Sequence, residues 1–156
     1  MITEEAAMPA ESFTFEVTRT SNADAATLFA LVSDGARWSE WAKPLVASSS
    51  LVKPGADAPN GVGAIRKLGA GPVGVKEETT AYEPDRRHAY KLLTPGPVSN
   101  YQAEVRLESR AGGGTQLTWR GTFDERIPGT GKIAQRGLAK FIGAVADKAI
   151  KAAERK

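Results

Sequence analysis

Hydrophobic and polar positions alternate with a period of two along most of this chain, and the period changes to 3.6 near its end. From Phe13 to Thr20 apolar and polar residues alternate, placing Phe13, Phe15 and Val17 on one face of a half-buried strand. The same pattern recurs over 99–109, with Tyr101, Ala103, Val105 and Leu107 opposite Gln102, Glu104, Arg106 and Glu108. It returns over 115–124, where Leu117, Trp119 and Phe123 oppose Gln116, Thr118, Arg120 and Thr122. Gly112-Gly113-Gly114 joins these two as a hairpin loop. Further strands are expected over 45–53, 64–68, 73–82 and 87–93. Turn residues separate them: Pro54-Gly55, Asn60-Gly61, Gly69-Ala70-Gly71-Pro72, Glu83-Pro84-Asp85 and Thr94-Pro95-Gly96-Pro97.

Between the first strand and the rest, Ser21-Asn22-Ala23-Asp24 offers side-chain acceptors to a helix start. A short helix over 25–33 follows, burying Leu28, Phe29, Leu31 and Val32, and Asp34-Gly35 breaks it. A second short helix is expected over 36–41, ended by Pro44. After Pro128-Gly129 one apolar stripe comprises Ile133, Gly137, Leu138, Phe141, Ile142, Val145, Ala149, Ile150 and Ala153. Lys132, Arg136, Lys140, Asp147 and Lys151 fall outside it. This helix is about 25 residues, or about 37 Å, long. The fold class is therefore α+β: about seven strands, paired antiparallel through short turns, with one face covered by the long C-terminal helix.

Composition narrows the function. The 156 residues suit one domain, taken as 12–156 behind a loose lead-in over 1–11. Cysteine is absent, which excludes disulfides, thiolate nucleophiles and thiolate metal sites. No apolar run approaches the roughly 20 residues that cross a bilayer, and the start lacks the pattern of a signal peptide. A cytoplasmic protein without stable membrane insertion is expected. The net charge is +3, with basic residues scattered and only modestly concentrated in the last helix, so no nucleic-acid partner is expected. A monomer or weak homodimer is the expected state.

Several blocks then resemble the polyketide cyclase/dehydrase and lipid-transport superfamily, the START-like or Bet v 1-like group with the helix-grip fold. They are Ser21-Asn22-Ala23-Asp24, Leu28-Phe29, Val32-Ser33-Asp34, Arg37-Trp38-Ser39-Glu40-Trp41, Lys76 to Pro84, Arg87-His88-Ala89-Tyr90 and Gly114 to Trp119. The resemblance implies a curved sheet wrapped around the C-terminal helix and an apolar cavity between them. The small residues Gly137 and Gly143 of that helix agree with such a space; their competing role is to allow close helix–sheet packing.

The expected ligand-facing residues are Trp38, Trp41, Tyr90, Tyr101, Trp119, Phe123, Leu138 and Phe141. The two Trp are alternatively anchors of the short helices. Tyr90, Tyr101 and Trp119 combine apolar area with one donor, which suits a small-molecule pocket or a core. Candidates for acid–base chemistry are His88 and Glu77. His88, the sole histidine, excludes two-histidine iron and three-histidine zinc sites, and is otherwise read as a hydrogen-bonded histidine at a strand end on the surface. Alternation turns one of Glu77 and Glu78 inward. Arg66 and Arg120 are the candidate partners for an anion, with Arg120 facing water. No metal or cofactor is expected. The favoured function is binding or transport of a hydrophobic, lipid- or polyketide-like small molecule. The alternative is a polyketide aromatase/cyclase, whose aldol closure and dehydration need a base and an oxyanion donor in the same cavity.

Overall fold

A computed structural model describes residues 12–70 and 73–155. The expected lead-in and the Gly71-Pro72 pair of one expected turn lie outside the described residues. The strands are β1 (Ser12–Ser21), β2 (Ser48–Lys53), β3 (Ile65–Ala70), β4 (Val73–Glu83), β5 (Arg87–Leu92), β6 (Val98–Ser109) and β7 (Thr115–Glu125). The helices are α1 (Ala25–Ser33), a 3-10 turn at Gly35–Arg37, α2 (Trp38–Trp41) and α3 (Gly131–Glu154). The strands form one antiparallel sheet in the order β1-β7-β6-β5-β4-β3-β2. The chain thus runs from one edge strand to the other through α1 and α2 before winding back by hairpins. This is the helix-grip arrangement, and each expected strand and helix is present with ends within three residues of expectation, the second short helix being a 3-10 turn followed by one turn of α-helix.

Local chemistry sets the boundaries. The Asp24 carboxylate accepts from the Thr27 backbone N–H at 2.8 Å and caps α1. At the start of α3 the Glu125 carboxylate accepts from the N–H groups of Gly129 and Gly131 at 3.1 and 3.0 Å. Register shifts between Thr79 and Ala81 and between Ser99 and Gln102 interrupt β4 and β6, and such irregularities bend a strand.

The inner face of the sheet buries Phe15 and Val17 of β1, Val105 and Leu107 of β6, and Leu117, Trp119 and Phe123 of β7. Val17, Trp119 and Val105 lie opposite one another across three strands. Over them sits the second half of α3, through Ile142, Val145, Ala146, Ala149 and Ala153.

The first half of α3 departs from the expectation of a continuous buried stripe. Ile133 is 75% exposed and Phe141 40% exposed. The two expected small positions also differ. At Gly143 an added Cβ would meet the Arg19 guanidinium at 2.9 Å, so this glycine serves close packing. At Gly137 an added Cβ would have nothing within 4 Å. The helix is therefore seated at its C-terminal end and spans open space nearer its start. It is tied down on both sides of that span. Gln135 donates to the Thr14 carbonyl at 2.6 Å, Arg19 pairs with Asp147 at 2.8 Å, and Glu154 accepts from Ser21 and from the Asn22 N–H.

Candidate functional site

The space under the first half of α3 is a cavity of about 470 Å³. Its helix wall is Ala134, Gly137, Leu138, Phe141 and Ile142; its sheet wall includes Leu68, Val75, Leu92, Val98 and Tyr101; Trp38, Leu45 and Val46 close another side. These side chains are almost all apolar. The ionisable exception is Glu77, which lines the cavity together with the hydroxyl-bearing Tyr90 and Tyr101.

Glu77 faces inward because β3 and β4 pair Arg66 directly with it, and both residues project to the covered face. Glu77 Oε1 accepts from Arg66 Nε at 3.1 Å and from Nη2 at 2.9 Å, while Oε2 takes part in neither bond. Both side chains are nearly sealed from solvent, at 3% and 10% exposure. The Arg66 guanidinium also lies over the rings of Trp38 and Tyr90, 4.7 and 4.8 Å from their centroids. Its stem passes across Gly35, where a Cβ would overlap it. The glycine that the sequence offers as a helix breaker therefore also makes room for the arginine. Arg66 Nη1 is buried and makes no hydrogen bond among the described residues.

Burial favours the neutral forms of Glu77, Tyr90 and Tyr101. It pushes the Glu77 carboxyl up, against the opposing pull of Arg66. It raises the Tyr90 and Tyr101 hydroxyls above the usual tyrosine range, helped by the negative charge of Glu77. Tyr90 is further fixed by Trp119, whose indole N–H donates to its hydroxyl at 3.2 Å. This is an apolar chamber with one carboxylate and two phenols in its wall, the carboxylate backed by Arg66.

Six of the residues expected at the site line this cavity: Trp38, Glu77, Tyr90, Tyr101, Leu138 and Phe141. Four do not. Trp119 is fully buried beneath Tyr90 and Trp38. Phe123 is buried against Phe13, with ring centroids 5.6 Å apart, because that end of β7 sits beside β1 rather than beneath the open span. Trp41 touches Trp38 but faces a surface groove with Leu31 and Arg37. His88 is fully buried, correcting its reading as a surface histidine. Its Nε2 lies 3.2 Å from the Thr79 hydroxyl and its Nδ1 has no partner among the described residues. Burial, with a further contribution from the Arg66 charge, holds His88 well below the usual histidine range, so it is neutral at pH 7. Arg120 is exposed, as expected. Among the described residues no group of three or more His, Asp or Glu side chains is placed to hold a metal ion.

Comparison with known proteins decides the family. The sequence profile of the family described as polyketide cyclase / dehydrase and lipid transport matches residues 12–155. The chain belongs to that family. Among solved structures it is similar to a START superfamily protein from Mycobacterium smegmatis, with a TM-score of 0.77 at 12% identity, covering 91% of this chain and 97% of that one. It is also similar to Ara h 8.0201, with a TM-score of 0.66 at 20% identity, covering 90% and 99% respectively. At these identities the two structures establish the shared fold alone. A search of curated proteins finds none that matches.

Within this polyketide cyclase/dehydrase and lipid-transport fold, the ion pair and the histidine give separate tests. Arg66→Met strands the buried Glu77 charge and should cost about 3–5 kcal/mol in urea unfolding, most of it recovered by also changing Glu77→Leu. A single-variant cost below about 1 kcal/mol would show that the pair is not desolvated. For His88, the folded pKa lies below the unfolded value of about 6.5, so the unfolded state protonates first as pH falls. Stability should be pH-independent in this component above about 6.5 and decline below it by up to about 1.4 kcal/mol per pH unit. Subtracting the His88→Gln profile between about pH 5 and 6.5 isolates this slope from that of the carboxylates; equal slopes in the two proteins would contradict the assignment.

Proposed function

We propose that the protein binds a hydrophobic small molecule in this cavity, holding it by apolar contact and orienting it through one polar group directed at Glu77. The observation that carries the reading is the pairing of about 470 Å³ of apolar-walled space with a single buried carboxylate whose Oε2 is not taken up by Arg66. Ligand sites commonly enclose about 300–1,000 Å³, mostly apolar, with few polar groups fixing orientation. A hydroxyl or phenol on an otherwise lipid- or polyketide-like molecule is the group that Glu77 Oε2 would accept from. A bare hydrocarbon would leave that oxygen without a partner, at a cost of about 1–3 kcal/mol.

One observation favours a second reading in the same cavity, an aldol-type cyclase/dehydrase. Glu77 stands beside two phenols in water-poor surroundings, and its carboxyl is pushed up by burial, toward the range of a working general base. Against this, its engagement with Arg66 holds the carboxylate in place and withdraws one oxygen from chemistry.

Gly137 provides the test because it borders the cavity and has room for a side chain. Gly137→Leu should fold with equal or greater stability, since leucine ranks close behind alanine, which is favoured over glycine in a helix by about 0.8–1 kcal/mol. It should also lose the ligand. Native mass spectrometry of the protein purified from its own host is expected to show an apolar molecule on the wild type and none on Gly137→Leu. No mass shift on the wild type, or equal loading of the two proteins, contradicts binding in this cavity. Glu77→Gln separates the two readings: a binding protein keeps the same compound at lower occupancy, whereas a cyclase accumulates an uncyclised precursor.

A further inference from the structure

The first half of α3 carries a feature that ligand binding does not use. Gly131 to Ala146 contains no acidic residue, while Lys132, Arg136 and Lys140 recur at every fourth position. That spacing places the three cations in one stripe on the helix surface. None of them forms an ion pair among the described residues. Immediately beside this stripe run Ile133, Gly137 and Phe141, again four apart, with Ile133 the more exposed of the two large side chains. Arg126 and Ile127 stand on the turn that leads into the helix, and Ile127 is 57% exposed. A helix whose only task was to cover the sheet would carry a polar residue at 133. Adjacent apolar and basic stripes on a solvent face are instead the arrangement of a helix lying in a membrane interface.

We propose that this face docks on an anionic bilayer surface. Ile133 and Phe141 enter the headgroup boundary, and Lys132, Arg136 and Lys140 lie against acidic lipid headgroups. The contact is peripheral, since no described helix is long and apolar enough to cross a membrane. Phe141 belongs both to this stripe and to the cavity wall, beside Ala134, Gly137 and Leu138. Docking therefore brings the helix wall of the cavity to the bilayer, the phase in which an apolar ligand is concentrated. The docking itself does not depend on the ligand reading.

The test is co-sedimentation of the full chain with phosphatidylcholine vesicles, with or without about 30 mol% phosphatidylserine. The wild type should pellet only with the anionic vesicles, and less at about 0.5 M salt. Each basic residue near such a surface strengthens binding about fivefold, so the K132E/R136E/K140E variant should bind about 100-fold more weakly or worse. Ile133→Asp should weaken binding about tenfold. Circular dichroism of each variant serves as the folding control. Three results overturn the proposal: a wild type that ignores anionic vesicles, equal pelleting with neutral ones, or undiminished binding by the charge-reversed variant. So does full binding by Ile133→Asp when charge reversal abolishes it, which is the behaviour of a polyanion site rather than a bilayer site.

Discussion

The buried pair of Arg66 and Glu77 is the constraint around which the cavity-facing half of the molecule is arranged. Two charges on the covered face of a sheet are costly unless each is matched and surrounded. Here the match comes from strand register, which sets the two residues opposite each other on β3 and β4. The surroundings come from elsewhere in the chain: the rings of Trp38 and Tyr90 against the guanidinium, and Gly35 beside its stem. The short helices between β1 and β2 thus do more than connect the two edges of the sheet. They carry Trp38 and Gly35 to the charge pair, so the pair, the helical connection and one wall of the cavity form a single unit.

The cavity itself follows from how α3 is held. Its second half is sealed onto the sheet by small and branched side chains, and its first half is fastened at its edges without being filled underneath. Gln135 bonds to the backbone of β1 and Glu125 holds the helix start, so the open span is bounded by fixed points. Close packing is the usual fate of a protein interior, and a void of this size loses contact energy all along its lining. An apolar molecule in that space would restore those contacts. The ion pair keeps one polar point in an otherwise oily chamber, which makes orientation possible.

Much of this fold was legible in the residue pattern. The period-two faces of β1, β6 and β7 and the period-3.6 stripe of α3 need no tertiary information. The Asp24 cap and the Gly112-Gly113-Gly114 turn are equally local. The site was less legible, for reasons of register and of helix tilt. Alternation shows that one of Glu77 and Glu78 turns inward, but only the pairing with Arg66 shows which. His88 lies near a strand end, where a sequence suggests solvent, yet α1 packs on β5 and β6 and the residue ends up fully enclosed. Trp119 and Phe123 have the right chemistry for a pocket, but their strand lies beside β1 and its contacts are those of the core. Ile133 and Phe141 fit the apolar period of α3 and still remain exposed, because periodicity says nothing about which part of a long helix is seated.

The central claim is that this cavity accepts an apolar molecule carrying one hydrogen-bond donor, anchored at Glu77. Methyl-resolved NMR during titration with a long-chain primary alcohol tests it most directly. The account predicts saturable, one-to-one shifts of the Leu68, Val75, Leu92 and Leu138 methyl groups, with weaker binding in Glu77→Gln. Shifts spread over surface methyl groups, or none on these four residues, would contradict it.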